Sequence, residues 1–436
     1  MTDIATYDPA LDPPGEPRII CRDHHRISRS MIDEDVLKIL YRLSRNGHLA
    51  YLVGGSVRDL LLGRTPKDFD IGTDATPSRI KRLFRNCFLI GRRFRLAHIR
   101  FRDNKVVEVA TFRRCPAPDE FPEDPGDHLH FAENVFGSPR QDAFRRDFTI
   151  NALFYDIATF SVIDHVGGLE DLQARRLRVI GDPGTRFRED PVRMLRALEM
   201  AARLDFTLDA ELTEGLRSCA PLIAAASPSR LRDEVMELFR HGVAAKVLPQ
   251  AQDFGILPHL LADYFGDRES FALLRRLDER TADGRPVDES LAIATLFLCP
   301  FLAAFPPSRE SHVVEALHQA NETILPHCRH FSIAQGIRQQ AREILAGCFR
   351  LARGPGLRGE ARFLRHPLTS LSLELFSLYA LDHPEMAELV LSWQRLMGQT
   401  HSPATIPEKE KRPRRRPRRP RSRRPRTAPG AENKEP

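Results

Sequence analysis

Two apolar periods run through this chain, and they occupy different stretches. Up to about residue 112, short apolar runs and alternating segments mark strands between brief helices; from Asp190 to about Gln399, apolar residues recur at helical spacing. Ile32 to Asn46 places Val36, Ile39, Leu40 and Leu43 on one helical face. Tyr51-Leu52-Val53 reads as a strand ending in Gly54-Gly55, Val57 to Leu62 as a helix stopped by Gly63, and Phe69-Asp70-Ile71 as a second strand. Pro77 to Arg85 reads as a helix with proline near its start. Leu96 to Arg102 and Val106 to Phe112 read as paired strands with Asp103-Asn104 as their turn. Cys115 to Gly137 lacks periodicity and reads as a long loop of open role, with helical patterns resuming from Gln141. The expected fold class is α+β: a small mixed-sheet head, mostly antiparallel, followed by an all-helical region.

The organisation expected is a polar arm over 1–30, a head over 31–175, a helical neck over 176–265, a helical body and leg over 266–400, and a basic tail over 401–436. Charge supports the last division. The 436 residues carry a net +7, but Lys411 to Arg426 holds eleven Lys/Arg and no acid, so the remainder is net acidic by four. A uniformly cationic surface is excluded and a grafted polyanion-binding tail is indicated. Pro413, Pro417, Pro420 and Pro425 keep that segment extended, so that Arg414, Arg415, Arg416, Arg418, Arg419, Arg421, Arg423 and Arg424 can meet successive phosphates. It has no aromatic residue, so its binding should tolerate any sequence.

The longest apolar run, Leu291 to Phe305, is broken by Pro300 and falls short of the ~20 residues of a membrane span. It reads as a buried helix, and no membrane partner is expected. With no apolar leader in Met1 to Glu16 and seven scattered cysteines without a CxxC pair, the expected compartment is the cytoplasm. Cys21 with His24 and His25 lacks a second ligand pair at zinc spacing.

Four constellations carry chemistry. Gly54 and Gly55 between a strand and a helix start let backbone N–H groups approach an anion, with Arg58 three residues on. Asp68 and Asp70, two apart on an expected strand, share one face; their repulsion calls for a cation between them, in the oxygen geometry of Mg²⁺. Two such ions about 3.5–4 Å apart can clamp the attacking and leaving oxygens of a phosphoryl transfer. Glu108, an acid flanked by valines, is a possible third carboxylate facing them. Arg145-Arg146-Asp147, with Asn151 beyond, offers guanidinium groups to phosphate oxygens and an acceptor to a ribose or to the metal site. Asp190 and Arg193, three apart after Pro191 opens a helix, can meet on one face and offer an acceptor and donors to a base edge.

In this order and spacing, Leu52–Gly63, Pro66–Thr73, Arg145–Leu153 and Arg188–Ala197 resemble the class II nucleotidyltransferase head shared by bacterial poly(A) polymerases and tRNA CCA-adding enzymes. The likeness covers roughly residues 20–205. Gly91-Arg92-Arg93-Phe94-Arg95-Leu96-Ala97-His98, His25-Arg26-Ile27-Ser28-Arg29 and the basic extension resemble the poly(A) polymerase branch more than the CCA-adding branch. The resemblance implies that Asp68 and Asp70 bind Mg²⁺, with Asp147 counted among the catalytic acids. It implies that Gly54, Gly55 and Arg58 hold the triphosphate, and that Arg146 and Asn151 line the nucleotide. Asp190 and Arg193 would read the base, with Arg196 nearby. The activity implied is template-independent addition of AMP from ATP to RNA 3′ ends, with pyrophosphate leaving. The alternatives are CCA addition to tRNA and an inactive RNA-binding protein.

Overall fold

A computed structural model describes residues 15–91, 96–115, 135–262, 264–308 and 310–401. Among these, eight strands form one sheet: β1 (Arg18–Ile20), β2 (Ala50–Val53), β3 (Asp70–Thr73), β4 (Cys87–Ile90), β5 (Leu96–Arg100), β6 (Val106–Thr111), β7 (Leu153–Asp156) and β8 (Ser161–Asp164). Their order is β1-β8-β7-β2-β3-β6-β5-β4. Neighbours run antiparallel except β3 and β6, which are parallel. The expected mixed, mostly antiparallel sheet is therefore present, and the chain beyond it is mainly helical.

Three departures from the sequence reading concern the head. Residues within the expected polar arm are structural: β1 adds an edge strand to β8, and Ile27 is fully buried. The hairpin β7–β8 lies in a stretch read as helical. Its short apolar runs, Leu153-Phe154-Tyr155 and Val162-Ile163, fit strands buried on both faces, and Phe160 takes a positive φ of 53° in the turn. Asp68 precedes β3 rather than lying on it.

Alternation gives the sheet two different faces. On the back, Leu52, Ile71, Ile99, Val107 and Val109 are buried and join one core with Val36, Ile39, Leu40 and Leu43 of helix α1 (Glu34–Arg45). Asp33 caps α1 by accepting from the Asp35 N–H at 2.9 Å. On the front, a smaller cluster of Val53, Phe112, Ala143, Ala152, Phe154 and Ile180 covers the β2–β7 half. The β3-β6-β5-β4 half exposes Asp70, Glu108 and Phe88. Gly72, two residues after Asp70 on the same face, is required there: a Cβ would lie 2.5 Å from the Phe112 ring and 2.9 Å from Val53. The covered half of the front thus stops at the acid.

Helices α2 (Gly55–Leu61), α3 (Pro77–Leu83), α4 (Pro139–Arg145) and α5 (Gly168–Ala174) complete the head. A capping box of Ser138 and Gln141 starts α4. Fully buried Asp171 accepts from Thr149, Arg176 and Arg178 and fixes the crossing out of the head. Next come α6 (Pro183–Glu189), α7 (Val192–Leu204), α8 (Ala210–Ser218) and α9 (Pro228–Arg240). Arg176–Leu177 and Thr207–Leu208 pair as a short parallel ladder beside them. Further helices run from Ala244 to His401. Glu289–Ala304 is one of them and buries twelve side chains, as the apolar run predicts. Among the described residues, no helix is long and apolar enough to cross a membrane.

Candidate active site

The diglycine turn closes β2 and opens α2. Gly54 has φ +73°, and a Cβ on it would lie 3.1 Å from Nη1 of Arg146, so both backbone shape and space favour glycine. The Gly54 N–H is engaged by the Leu153 carbonyl at 3.2 Å, which leaves the next N–H groups, at Gly55 and Ser56, as the first-turn donors of α2.

Arg58 is placed differently from its expected role. It is buried behind the turn, donating from Nε to Asp59 at 2.8 Å and from Nη1 to Oδ1 of Asn151 at 2.6 Å. A Cβ on Gly55 would sit 3.3 Å from its Nη2. Arg58 therefore braces the glycine turn from below. Asn151, in the 3₁₀ turn Thr149–Asn151, is the hub. Its Nδ2 donates to Oδ1 of Asp147 at 3.1 Å, and its carbonyl accepts from Nη1 of Arg146 at 3.2 Å. Arg146 also grips Asp142 at 3.0 Å and lies over the Phe154 ring at 5.5 Å, with part of its guanidinium exposed.

Asp147 is buried and has both oxygens engaged. Oδ1 accepts from the Phe148 N–H at 2.8 Å and from Asn151, while Oδ2 meets Nη2 of Arg196 at 2.6 Å. Burial alone would raise its carboxyl, but Arg196, Asn151, the Phe148 N–H and Arg193 outweigh it and hold the group below the ordinary range. Asp147 thus faces Arg196 and the Asn151 hub, with Oδ2 in an ion pair and without a hydrogen-bond donor of its own.

The acids are brought together, though not as an i, i+2 strand pair. Asp70 and Glu108 are register partners across the parallel β3–β6 ladder, and both are exposed on the open face, as is Asp68 just before β3. Surrounding protein atoms, then the Glu108 and Asp68 carboxylates, push the Asp70 carboxyl up, against the pull of Arg146. Glu108 meets Nε2 of His98 on β5 at 3.2 Å. Among the described residues, no group of three or more His, Cys, Asp or Glu converges as a metal site. The chemistry of Asp68, Asp70 and Glu108 nonetheless fits Mg²⁺, which takes one or two carboxylates and completes its shell with water and phosphate oxygens.

The expected Asp190–Arg193 pair does not form. Asp190 ends α6 with φ −150° and lies outside the helix that begins after Pro191, so the two side chains diverge. Asp190 takes Nη2 of Arg230 at 2.7 Å through Oδ2, and its Oδ1 is buried without a partner. Arg193 pairs with Glu189 at 3.0 Å and donates to the Arg186 carbonyl at 2.9 Å. Arg196 reaches Glu234 at 3.8 Å in addition to Asp147, and Asp147 raises its guanidinium's pKa.

Several residues at the site carried no signal in the sequence reading. Arg230 and Glu234 lie on α9, about forty residues from Asp190 and Arg196, and nothing local announces that pairing. Arg186 fixes the Arg145 and Arg146 carbonyls at 2.7 and 2.6 Å. His98 was within reach, since alternation along β5 places it on the acid face. Arg92 to Arg95, most of the 115–137 loop and the tail arginines Arg414 to Arg424 lie outside the described residues.

Comparison with known proteins bears on the family and the fold. The "Poly A polymerase head domain" matches residues 50–178, the "Probable RNA and SrmB-binding site of polymerase A" matches 205–264, and the "Polymerase A arginine-rich C-terminus" matches 309–427. The chain is 43% identical to a Poly(A) polymerase I of Salmonella typhi over 298 residues, 65% of this chain and 64% of that one. It therefore matches just under two thirds of the length of that relative. It is 37% identical over 235 residues to a CCA-adding enzyme of Bacillus pumilus, covering 53% of this chain and 56% of that one. A solved tRNA nucleotidyltransferase complexed with a primer tRNA and an incoming ATP analog shares the fold at TM-score 0.60 and 23% identity, covering 83% of this chain and 99% of that one. On these matches the chain belongs to the nucleotidyltransferase family of bacterial poly(A) polymerases and CCA-adding enzymes.

Proposed function

We propose that this chain is a template-independent poly(A) polymerase that extends RNA 3′ ends with AMP from ATP. The 3′-hydroxyl oxygen attacks the α-phosphorus, the bond to the β-phosphate oxygen breaks, and pyrophosphate leaves as the hydroxyl proton is lost. The observation that carries the reading is the register of Asp70 with Glu108, one strand from the diglycine turn. That turn is the phosphate cradle, with Gly55 and Ser56 N–H groups and the exposed edge of Arg146 as donors. Arg58, Asn151 and Asp147 position it. Asp68 and Asp70 would hold Mg²⁺ in a two-metal site, which when occupied would neutralise the charge that develops on the transferred phosphate. The acid cluster of Asp70 and Glu108 takes the hydroxyl proton. Base reading is assigned to Asp190 through its unpartnered Oδ1, with Oδ2 fixed by Arg230.

The identities favour polyadenylation, at 43% to Poly(A) polymerase I against 37% to the CCA-adding enzyme. The second reading, CCA addition, rests on the 37% identity to that CCA-adding enzyme. RNA 3′ ends and ATP are the proposed partners. Seven free thiols suit a reducing cytoplasm, and roles in mRNA processing and transcription follow from the same reading. Labelled ATP and CTP, each offered with an unstructured RNA and with tRNA lacking its CCA end, separate the cases. AMP added to both RNAs with pyrophosphate release is expected. Efficient CMP addition confined to the tRNA would establish the second reading, and no incorporation would leave an RNA-binding protein. Removing residues 401–436 is expected to weaken RNA binding by roughly ten-fold or more at low salt and to flatten its salt dependence, with ATP binding unchanged. An unchanged slope of log affinity against log salt would remove the tail from the account.

A further inference from the structure

The open half of the sheet carries one continuous row of partners. Asp70 of β3 stands opposite Glu108 of β6, Glu108 opposite His98 of β5, and His98 opposite Phe88 of β4, the edge strand. All four point to the front, because the alternate residues Ile71, Val109, Ala97 and Cys87 are buried behind. Phe88 is 50% exposed and Ile90, two residues on, 41%. The Arg100 guanidinium lies 4.8 Å above the Phe88 ring centroid. The row therefore starts in acids and ends in an aromatic ring with a cation on it. Three strand spacings of about 4.8 Å make it ~14 Å long.

From this row we infer that the β6-β5-β4 face is the track for the single-stranded 3′ end of the RNA acceptor, with the base before the terminal nucleotide stacked on Phe88 and its phosphate at Arg100. The inference rests on the polymerase reading above. Its first support is the geometry of phosphoryl transfer, in which attacking and leaving oxygens lie roughly in line through phosphorus. The phosphate cradle of Gly55 and Arg146 lies on the β2 side of Asp70, so pyrophosphate departs that way. The attacking hydroxyl then comes from the opposite side, across Glu108 and His98. The second support is chemical fit. A nucleic acid strand presents a π face and a phosphate per residue, which an aromatic ring and an arginine on a sheet match without regard to sequence. The third is continuity with the acids, which a protein partner docked on the β4 edge would not require.

The test uses the full chain and a fifteen-nucleotide oligoadenylate carrying 2-aminopurine next to its 3′ end. Phe88→Ala is expected to raise the KM for this primer about ten-fold and to abolish the 2-aminopurine quenching seen on binding. The KM for ATP should stay within two-fold, and because Phe88 is half exposed the melting temperature should hold. Phe88→Tyr, which keeps a ring, should retain both quenching and primer KM. Arg100→Ala should weaken primer binding with a smaller salt dependence. Equal primer KM and equal quenching in Phe88→Ala would overturn the inference. So would an equal rise in the KM for ATP, which would make the face a nucleotide site. A third contrary outcome is sedimentation showing that Phe88→Ala dissociates a dimer while primer binding stands, which would make the occupant a second copy of the chain. If the parent incorporates no AMP the polymerase reading fails, while the quenching comparison still decides the track.

Discussion

Charge is handled in opposite ways at the sheet face and at the seam between head and helices. On the face, Asp68, Asp70 and Glu108 gather like charges, and the Asp70 carboxyl is pushed up by surrounding protein atoms first and by the Glu108 and Asp68 carboxylates second. In the seam, Asp147 is buried yet held below its ordinary value because Arg196 and Asn151 surround it. We propose that a cation completes the first arrangement. The second already has its cation in Arg196 and holds one part of the chain against another. Identical side chains thus divide into a binding role and a positioning role according to what faces them.

The largest effect should fall on the open acids. Asp70→Ala is expected to lower AMP incorporation by at least about 10²–10³-fold, the range for removing one preorganised electrostatic group, with a melting temperature at or above the parent's because like-charge repulsion is relieved. An active variant would break the contrast by making the face as self-sufficient as the seam. Next, Arg196→Ala leaves Asp147 buried without its cation and should cost about 3 kcal/mol in denaturant unfolding, at the low end for a broken buried pair because Arg196 is partly exposed. Asp147→Asn added to it should recover part of that loss, and independent, additive costs would contradict the pairing. The smallest effect concerns Glu234, whose carboxyl burial lifts to about 7, with Arg196 opposing and Glu199 and Glu237 reinforcing the rise. The folded state then binds its proton more tightly than the unfolded one. Its contribution is present below the unfolded value and is lost as pH rises through about 7. Glu234→Gln should therefore gain about 1–2 kcal/mol at pH 8 relative to pH 5, read as a flatter pH profile of the unfolding midpoint. A profile identical to the parent's would show that the seam does not strain this acid.

The same contrast marks how far the sequence could be read. Local signals were legible: the α1 face of Val36, Ile39, Leu40 and Leu43, the β5–β6 hairpin with Asp103 and Asn104 at positive φ, and the diglycine turn. Each depends on residues close in sequence. The seam was not legible, because Arg230 and Glu234 meet Asp190 and Arg196 only once α9 packs on α7. Asp190 and Arg193 misled for a related reason: spacing of three implies a shared face only inside one helix, and Pro191 begins a new one. The strand β1 was hidden because Arg18-Ile19-Ile20 is only three residues long, too short for a period to show. By spacing, Asp68 and Asp70 read as an i, i+2 strand pair with Glu108 as a possible third acid; Asp68 lies before β3, and it is Asp70 and Glu108 that stand opposite each other, across a parallel ladder that local spacing does not announce.

The claim that the open acids need a divalent cation is tested most directly without catalysis. Mn²⁺ is titrated against the full chain with a non-hydrolysable ATP analogue, and free Mn²⁺ is followed by electron paramagnetic resonance, in the parent and in the Asp68→Asn/Asp70→Asn variant. The account predicts nucleotide-dependent loss of the free Mn²⁺ signal in the parent, above that of the analogue alone, and none beyond the analogue's own in the variant. Equal uptake by both proteins would contradict it.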